Sequence, residues 1–111
     1  MKLTNELMYK TFEYLNDIIF GNEIYITPKI KVYTSKVNMG YFEGMADEDN
    51  KPVLTIKISK HYNKDYNTFV ATLAHEMVHC FQYLKHMPVD HGKAFKEMAA
   101  AIKKTIGIDI L

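Results

Sequence analysis

Residues 65–87 read DYNTFVATLAHEMVHCFQYLKHM, and the architecture turns on how this stretch folds. Asp65 or Asn67 supplies a helix start, and Pro88 just beyond Met87 supplies a stop, so the spacing predicts one helix across the stretch. At about 100° per residue, Val70, Leu73, Met77 and Leu84 lie opposite the face of His75 and His79, while Ala74, Val78 and Phe81 flank it. A helix apolar on most sides belongs in the middle of a fold. This one nevertheless carries two histidines and a glutamate, which are costly to bury without partners.

Those three residues spell H-E-x-x-H from His75 to His79. Histidines four apart stand on one helical face with Cβ atoms about 5–6 Å apart, close enough for both imidazoles to reach one tetrahedral Zn²⁺. Glu76 is rotated about 100° from His75 and need not ligate the ion. It is placed to take a proton from a water that zinc has made acidic, the general-base step of amide hydrolysis. A catalytic zinc keeps three protein ligands and an open position, so a third ligand is needed. His86, His91 and Glu97 are the contenders. His86 stands seven residues past His79, roughly 10 Å further along a continuing helix. Glu97 shares a helix with Phe95 and Met98, which must turn inward and leave its carboxylate at the rim. His91 follows the Pro88 break and precedes Gly92, so the chain can turn back and present it to the metal. The extended pattern with a glycine and a third histidine fails, because Gln82 and Lys85 occupy those positions.

Upstream, Thr4 or Asn5 can cap a helix in which Met8, Phe12, Leu15 and Ile19 recur at helical spacing, with Gly21 as a stop. Ile30 to Thr34 alternates as a strand does, as do Leu54, Ile56 and Ile58 against Thr55, Lys57 and Ser59. Tyr41 to Met45 is a third strand. Asp47, Glu48, Asp49, Asn50 and Pro52 read as a solvated hairpin tip, since they lack the spacing and distal glutamate of a calcium loop. Downstream, a last helix begins near Asp90 to Gly92 and buries Phe95, Met98, Ala99, Ile102 and Ile106, with Lys103 and Lys104 complementing its C-terminal dipole. The order predicts a single α+β domain over residues 1–111: an N-terminal helix, a small, mostly antiparallel sheet of about three strands, and two helices.

The bulk numbers agree. At 111 residues and 48% hydrophobic content, the chain can bury one core without staples. Its one cysteine, Cys80, forms no internal disulfide, and it points away from the histidine face as a packed thiol; a reducing, cytoplasmic location is expected. Residues 1–10 carry no signal pattern, and no apolar run is long enough to span a membrane. Net charge is +1 and all 14 cationic side chains are lysines, so DNA binding is expected to be weak and blind to sequence. A monomer is expected.

The run T-L-A-H-E-M-V-H from Thr72 to His79, followed by H-G-K-A-F from His91 to Phe95, resembles the SprT-like family of zinc metallopeptidases. Similar too are the helix containing Y-L-N-D-I-I-F, the run P-K-I-K-V-Y, and G-Y-F at Gly40 to Phe42. The resemblance implies a zincin-like core, His75, His79 and His91 as zinc ligands, Glu76 as the catalytic residue, and protein as substrate. The family includes the Spartan-type proteases that degrade proteins crosslinked to DNA. Here the C-terminal zinc ribbon of many members has no counterpart, and the chain looks like a bare catalytic core. The competing reading is a non-catalytic, zinc-bearing binding module acting on DNA or a polymerase, in which Glu76 has no task.

Among other residues, Tyr41 and Phe42 are candidates to line a substrate groove. His61, Tyr62 and Tyr66 lead into the central helix and read mainly as cover for the core edge, with one tyrosine as an alternative oxyanion donor. Lys93, Lys96, Lys103 and Lys104 read as a solvated face.

Overall fold

The computed structural model describes residues Met1–Leu111. The first helix, α1 (Asn5–Ile18), starts where Thr4 accepts a hydrogen bond from Leu7 N–H at 3.1 Å. It turns Met8, Phe12 and Leu15 inward. Beyond it, Gly21 and Asn22 take positive φ, which reverses the chain. Buried Asn16 then clamps the returning segment: its amide nitrogen donates to the Ile24 carbonyl at 3.0 Å and its oxygen accepts from Ile24 N–H at 3.3 Å.

Three strands follow, β1 (Lys29–Tyr33), β2 (Gly40–Ala46) and β3 (Pro52–Ser59), arranged in the order β1-β3-β2. The sheet is mixed rather than mostly antiparallel: β2 pairs antiparallel with β3, and β1 pairs parallel with it. The reason lies in burial. Leu54, Ile56 and Ile58 make β3 the most apolar strand, so it takes the central position between its two predecessors and buries these residues almost completely. The β2–β3 turn is the expected solvated tip, in which the Asp47 carboxylate accepts from Asp49 and Lys51 N–H, each at 2.9 Å.

The central helix, α2 (Tyr66–Leu84), lies across β2 and β3. Asp65 caps it, accepting from Thr68 N–H at 2.9 Å. Phe69, Leu73, Met77 and Val78 are sealed in the core together with the Cys80 thiol, whose ionisation burial suppresses. The helix stops at Leu84, three residues before Met87, because His86 adopts a left-handed conformation with φ +56°. Met87 N–H then bonds back to the Gln82 carbonyl at 2.9 Å and His86 N–H to that of Tyr83 at 3.2 Å, the paired C-terminal closure usually built on glycine.

The last helix, α3 (Lys93–Ile106), packs on α2 through Phe95, Ala99 and Ile102. Met98 and Ile106, expected to be buried, are only partly covered. Gly107 ends the helix at φ +74°, and the chain folds back so that Ile110 is buried against α2. No helix is long and apolar enough to cross a membrane.

Candidate metal centre

Two of the three imidazoles are placed by helical geometry alone. His75 and His79 share one face of α2, with ring centroids 5.1 Å apart. The third arrives from the turn that precedes α3. There the Asp90 carboxylate accepts from Gly92 N–H at 3.0 Å, folding the backbone tightly around His91. Its Nε2 lies 3.1 Å from Nε2 of His75 and 3.1 Å from Nε2 of His79. Phe95, one turn into α3, floors the group with its ring 4.8, 5.3 and 4.8 Å from those of His75, His79 and His91.

The opposite ring nitrogens fix the protonation pattern. His75 Nδ1 lies 2.7 Å from the Ile110 carbonyl oxygen, which can only accept, so Nδ1 carries the proton and Nε2 the lone pair. His79 Nδ1 lies 2.9 Å from Oε1 of Gln82, whose amide nitrogen donates to the Asp90 carbonyl at 3.2 Å. That second bond settles which end of the amide faces His79, and His79 Nε2 is again unprotonated. Burial lowers the pKa of both histidines, more than offsetting these supporting hydrogen bonds, and so keeps them neutral near pH 7. Two lone pairs therefore converge on the His91 nitrogen. Three imidazoles gathered in this way could hold a metal ion, and the donor set suits zinc.

Glu76 sits beside this group and is 6% exposed. Burial pushes its pKa up to about 7, which places the carboxyl where it can both take and return a proton at neutral pH. Gly40 explains how the side chain fits. A Cβ at that position would lie 2.7 Å from Thr72 Cγ2 and 2.9 Å from Glu76 Oε2, so only glycine lets β2 approach the carboxylate this closely. Ser59 and Asn63 anchor the preceding loop: Ser59 Oγ donates to the Ser35 carbonyl at 2.7 Å and Asn63 to that of Met39 at 2.9 Å.

The cleft opens on both sides of Glu76. A cavity of about 320 Å³ runs between Val37–Gly40, α2 and the C-terminal segment Asp109–Leu111. A second, of about 460 Å³, continues past Tyr41 and Phe42 to Val89, Asp90 and His91. Both share Asn38, Gly40, His75 and Glu76.

Of the sequence-derived candidates, the structure brings His75, Glu76, His79 and His91 together. His86 is spent on the helix terminus and lines a different hollow, beside Tyr25 and Tyr83. Glu97 faces solvent, 3.9 Å from Lys93. Tyr62 donates to the Lys36 carbonyl, and neither Tyr62 nor Tyr66 lines the cleft, whereas Tyr41 and Phe42 do. Sequence reasoning assigns no site role to Gln82, Gly40 or Ile110. A signal exists for Gln82, a glutamine inside an apolar helix three residues after the second histidine. None exists for Ile110, which reaches His75 across 35 residues of chain.

A helix that buries its own glutamate while turning two imidazole lone pairs toward a third belongs to a fold of the metallopeptidase type. The chain is a member of the SprT-like family, whose model matches residues 8–110. Comparison with the curated proteins finds no match.

Proposed function

We propose that this protein is a zinc-dependent endopeptidase that hydrolyses peptide bonds in protein substrates, DNA-associated proteins among them. The observation that carries this is the buried, near-neutral Glu76 beside three converging imidazoles. In a metal site that only supported the fold, a carboxylate held out of water would bring cost without use. Zinc held by His75, His79 and His91 would polarise the scissile carbonyl and acidify the attacking water. Glu76 takes one proton of that water as its oxygen adds to the carbonyl carbon. It then delivers the proton to the amide nitrogen as the C–N bond breaks, so the carboxylate is regenerated each turn.

The sheet order supports an extended polypeptide as substrate. β2 is an edge strand, and its first residues, Gly40 to Phe42, line the cleft. A substrate strand can pair with this edge and pass over Glu76, through a cleft open on both sides. We further propose that the enzyme acts as a monomer in a reducing cytoplasm and that its contacts with DNA, made by lysines alone, are weak and independent of sequence.

The test is metal analysis with a protease assay on the native chain and Glu76→Gln, with and without single-stranded DNA. Both proteins are expected to carry about one zinc per chain, since the three-imidazole site is unchanged. Only the native chain is expected to cleave. Equal cleavage by both would end the mechanism, and zinc retention without cleavage of any protein would favour the binding-module reading.

A further inference from the structure

Gln82 is a fully buried amide, 0% exposed, in a helix whose other buried side chains, apart from Thr72, Glu76 and His79, are apolar. An amide in that position without partners is costly to bury, and methionine or leucine would fill the volume at no such cost. Both ends of the amide are instead engaged, and both partners belong to the metal centre. Oε1 accepts from His79 Nδ1 at 2.9 Å, and Nε2 donates to the carbonyl of Asp90, the residue before His91, at 3.2 Å. The main chain of the same residue is used as well, because its carbonyl accepts from Met87 N–H at 2.9 Å and starts the turn that leads to His91.

His91 needs such support. It is exposed, it stands on a turn rather than a helix, and its Nε2 must be held within 3.1 Å of two other nitrogens. His79, by contrast, has its backbone fixed by α2 and needs only its tautomer and ring orientation set.

We propose that Gln82 is a positioning residue that couples two ligands: one amide fixes the tautomer of His79 and, with its other end, the place of His91. The third ligand is therefore delivered by α2 itself as well as by the turn before α3. This inference rests on the metal-centre reading above, yet it is tested by zinc affinity, without any protease assay.

Two substitutions separate the two ends. Gln82→Met keeps the length and removes both hydrogen bonds. Gln82→Glu keeps an acceptor for His79 but sets a carboxylate oxygen against the Asp90 carbonyl, so it breaks only the link to His91. Zinc affinity, measured by competition with a chromophoric chelator, is expected to fall about 10–100-fold for Gln82→Met, the usual effect of removing a group that orients a metal-bound histidine. It is expected to fall for Gln82→Glu as well, while nitrogen-15 NMR of the imidazoles still finds His79 protonated on Nδ1. In a His91→Ala background, Gln82→Glu should cost no further affinity.

A purely structural glutamine would lower the melting temperature and leave zinc affinity unchanged in either variant; that result overturns the inference. Gln82→Glu changing zinc affinity by the same factor in the native chain and in the His91→Ala background overturns the link to His91, because a carboxylate on His79 acts on that ligand equally in both. If Gln82→Met does not fold, Gln82→Glu, of nearly the same volume, carries the test. A native chain that takes up no zinc would remove the metal-centre reading and this inference together, whereas native binding that both variants preserve would remove this inference alone.

Discussion

Replacing the buried Glu76 should make the metal-free protein more stable, by an amount that depends on pH in a defined way. Glu76 is held at a pKa of about 7 instead of the usual 4.5, with burial as the cause. Between those two values the folded chain keeps a proton that the unfolded chain has released, so native stability falls as pH rises through the window and levels off above about pH 7. A tenfold difference in proton affinity between the folded and unfolded chain is worth about 1.4 kcal/mol, so the charged carboxylate costs up to about 3 kcal/mol at pH 8 and about 1 kcal/mol at pH 5. Glu76→Gln has nearly the same shape and no charge to desolvate. Urea unfolding of both proteins in chelator is therefore expected to show Glu76→Gln ahead by up to about 3 kcal/mol at pH 8, with the gap closing toward pH 5. A variant no more stable than the native chain at pH 8, or a difference that ignores pH, would refute the argument that Glu76 is strained by burial.

Other expectations follow from the same geometry. Gly40→Ala drives a methyl group against Thr72 and the Glu76 carboxylate, so cleavage should drop at least about tenfold and stability by about 1–3 kcal/mol, while zinc stoichiometry measured by metal analysis stays at the native level. His91→Ala should lower zinc affinity and abolish cleavage. His86→Gly should instead leave zinc binding intact and raise stability by about 1 kcal/mol in urea unfolding, because φ +56° is strained for histidine and free for glycine. Any binding to single-stranded DNA, followed by fluorescence anisotropy, should be lost on moving from low to moderate salt; tight, salt-resistant recognition of one sequence would contradict an all-lysine contact surface.

Much of this protein is written in local periodicity. A helix repeats every 3.6 residues, so four positions of spacing put His75 and His79 on one face whatever surrounds them, and the apolar residues opposite name the buried side. Thr4 and Asp65 announce their helices as side chains that satisfy exposed backbone N–H groups. Two of the three strands, β1 and β3, are equally legible from alternation. Where local pattern misleads, a longer-range choice has intervened. Periodicity runs α2 on to Met87, but His86 takes a left-handed conformation that its residue type does not advertise. Strand order in the chain suggests a mostly antiparallel sheet, but pairing depends on which strand the core claims for its centre, and β3 lies between β1 and β2. The site divides along the same line. His75, Glu76 and His79 follow from one turn of helix, and the choice of His91 over His86 and Glu97 can be argued from chain flexibility. Only the folded chain decides that the Ile110 carbonyl orients His75, that Gln82 joins His79 to the His91 turn, and that β2 comes close enough to Glu76 to demand glycine at residue 40. Each of those contacts depends on where a separate segment of the chain comes to rest, and that position is set by packing of the whole core, which no local pattern encodes.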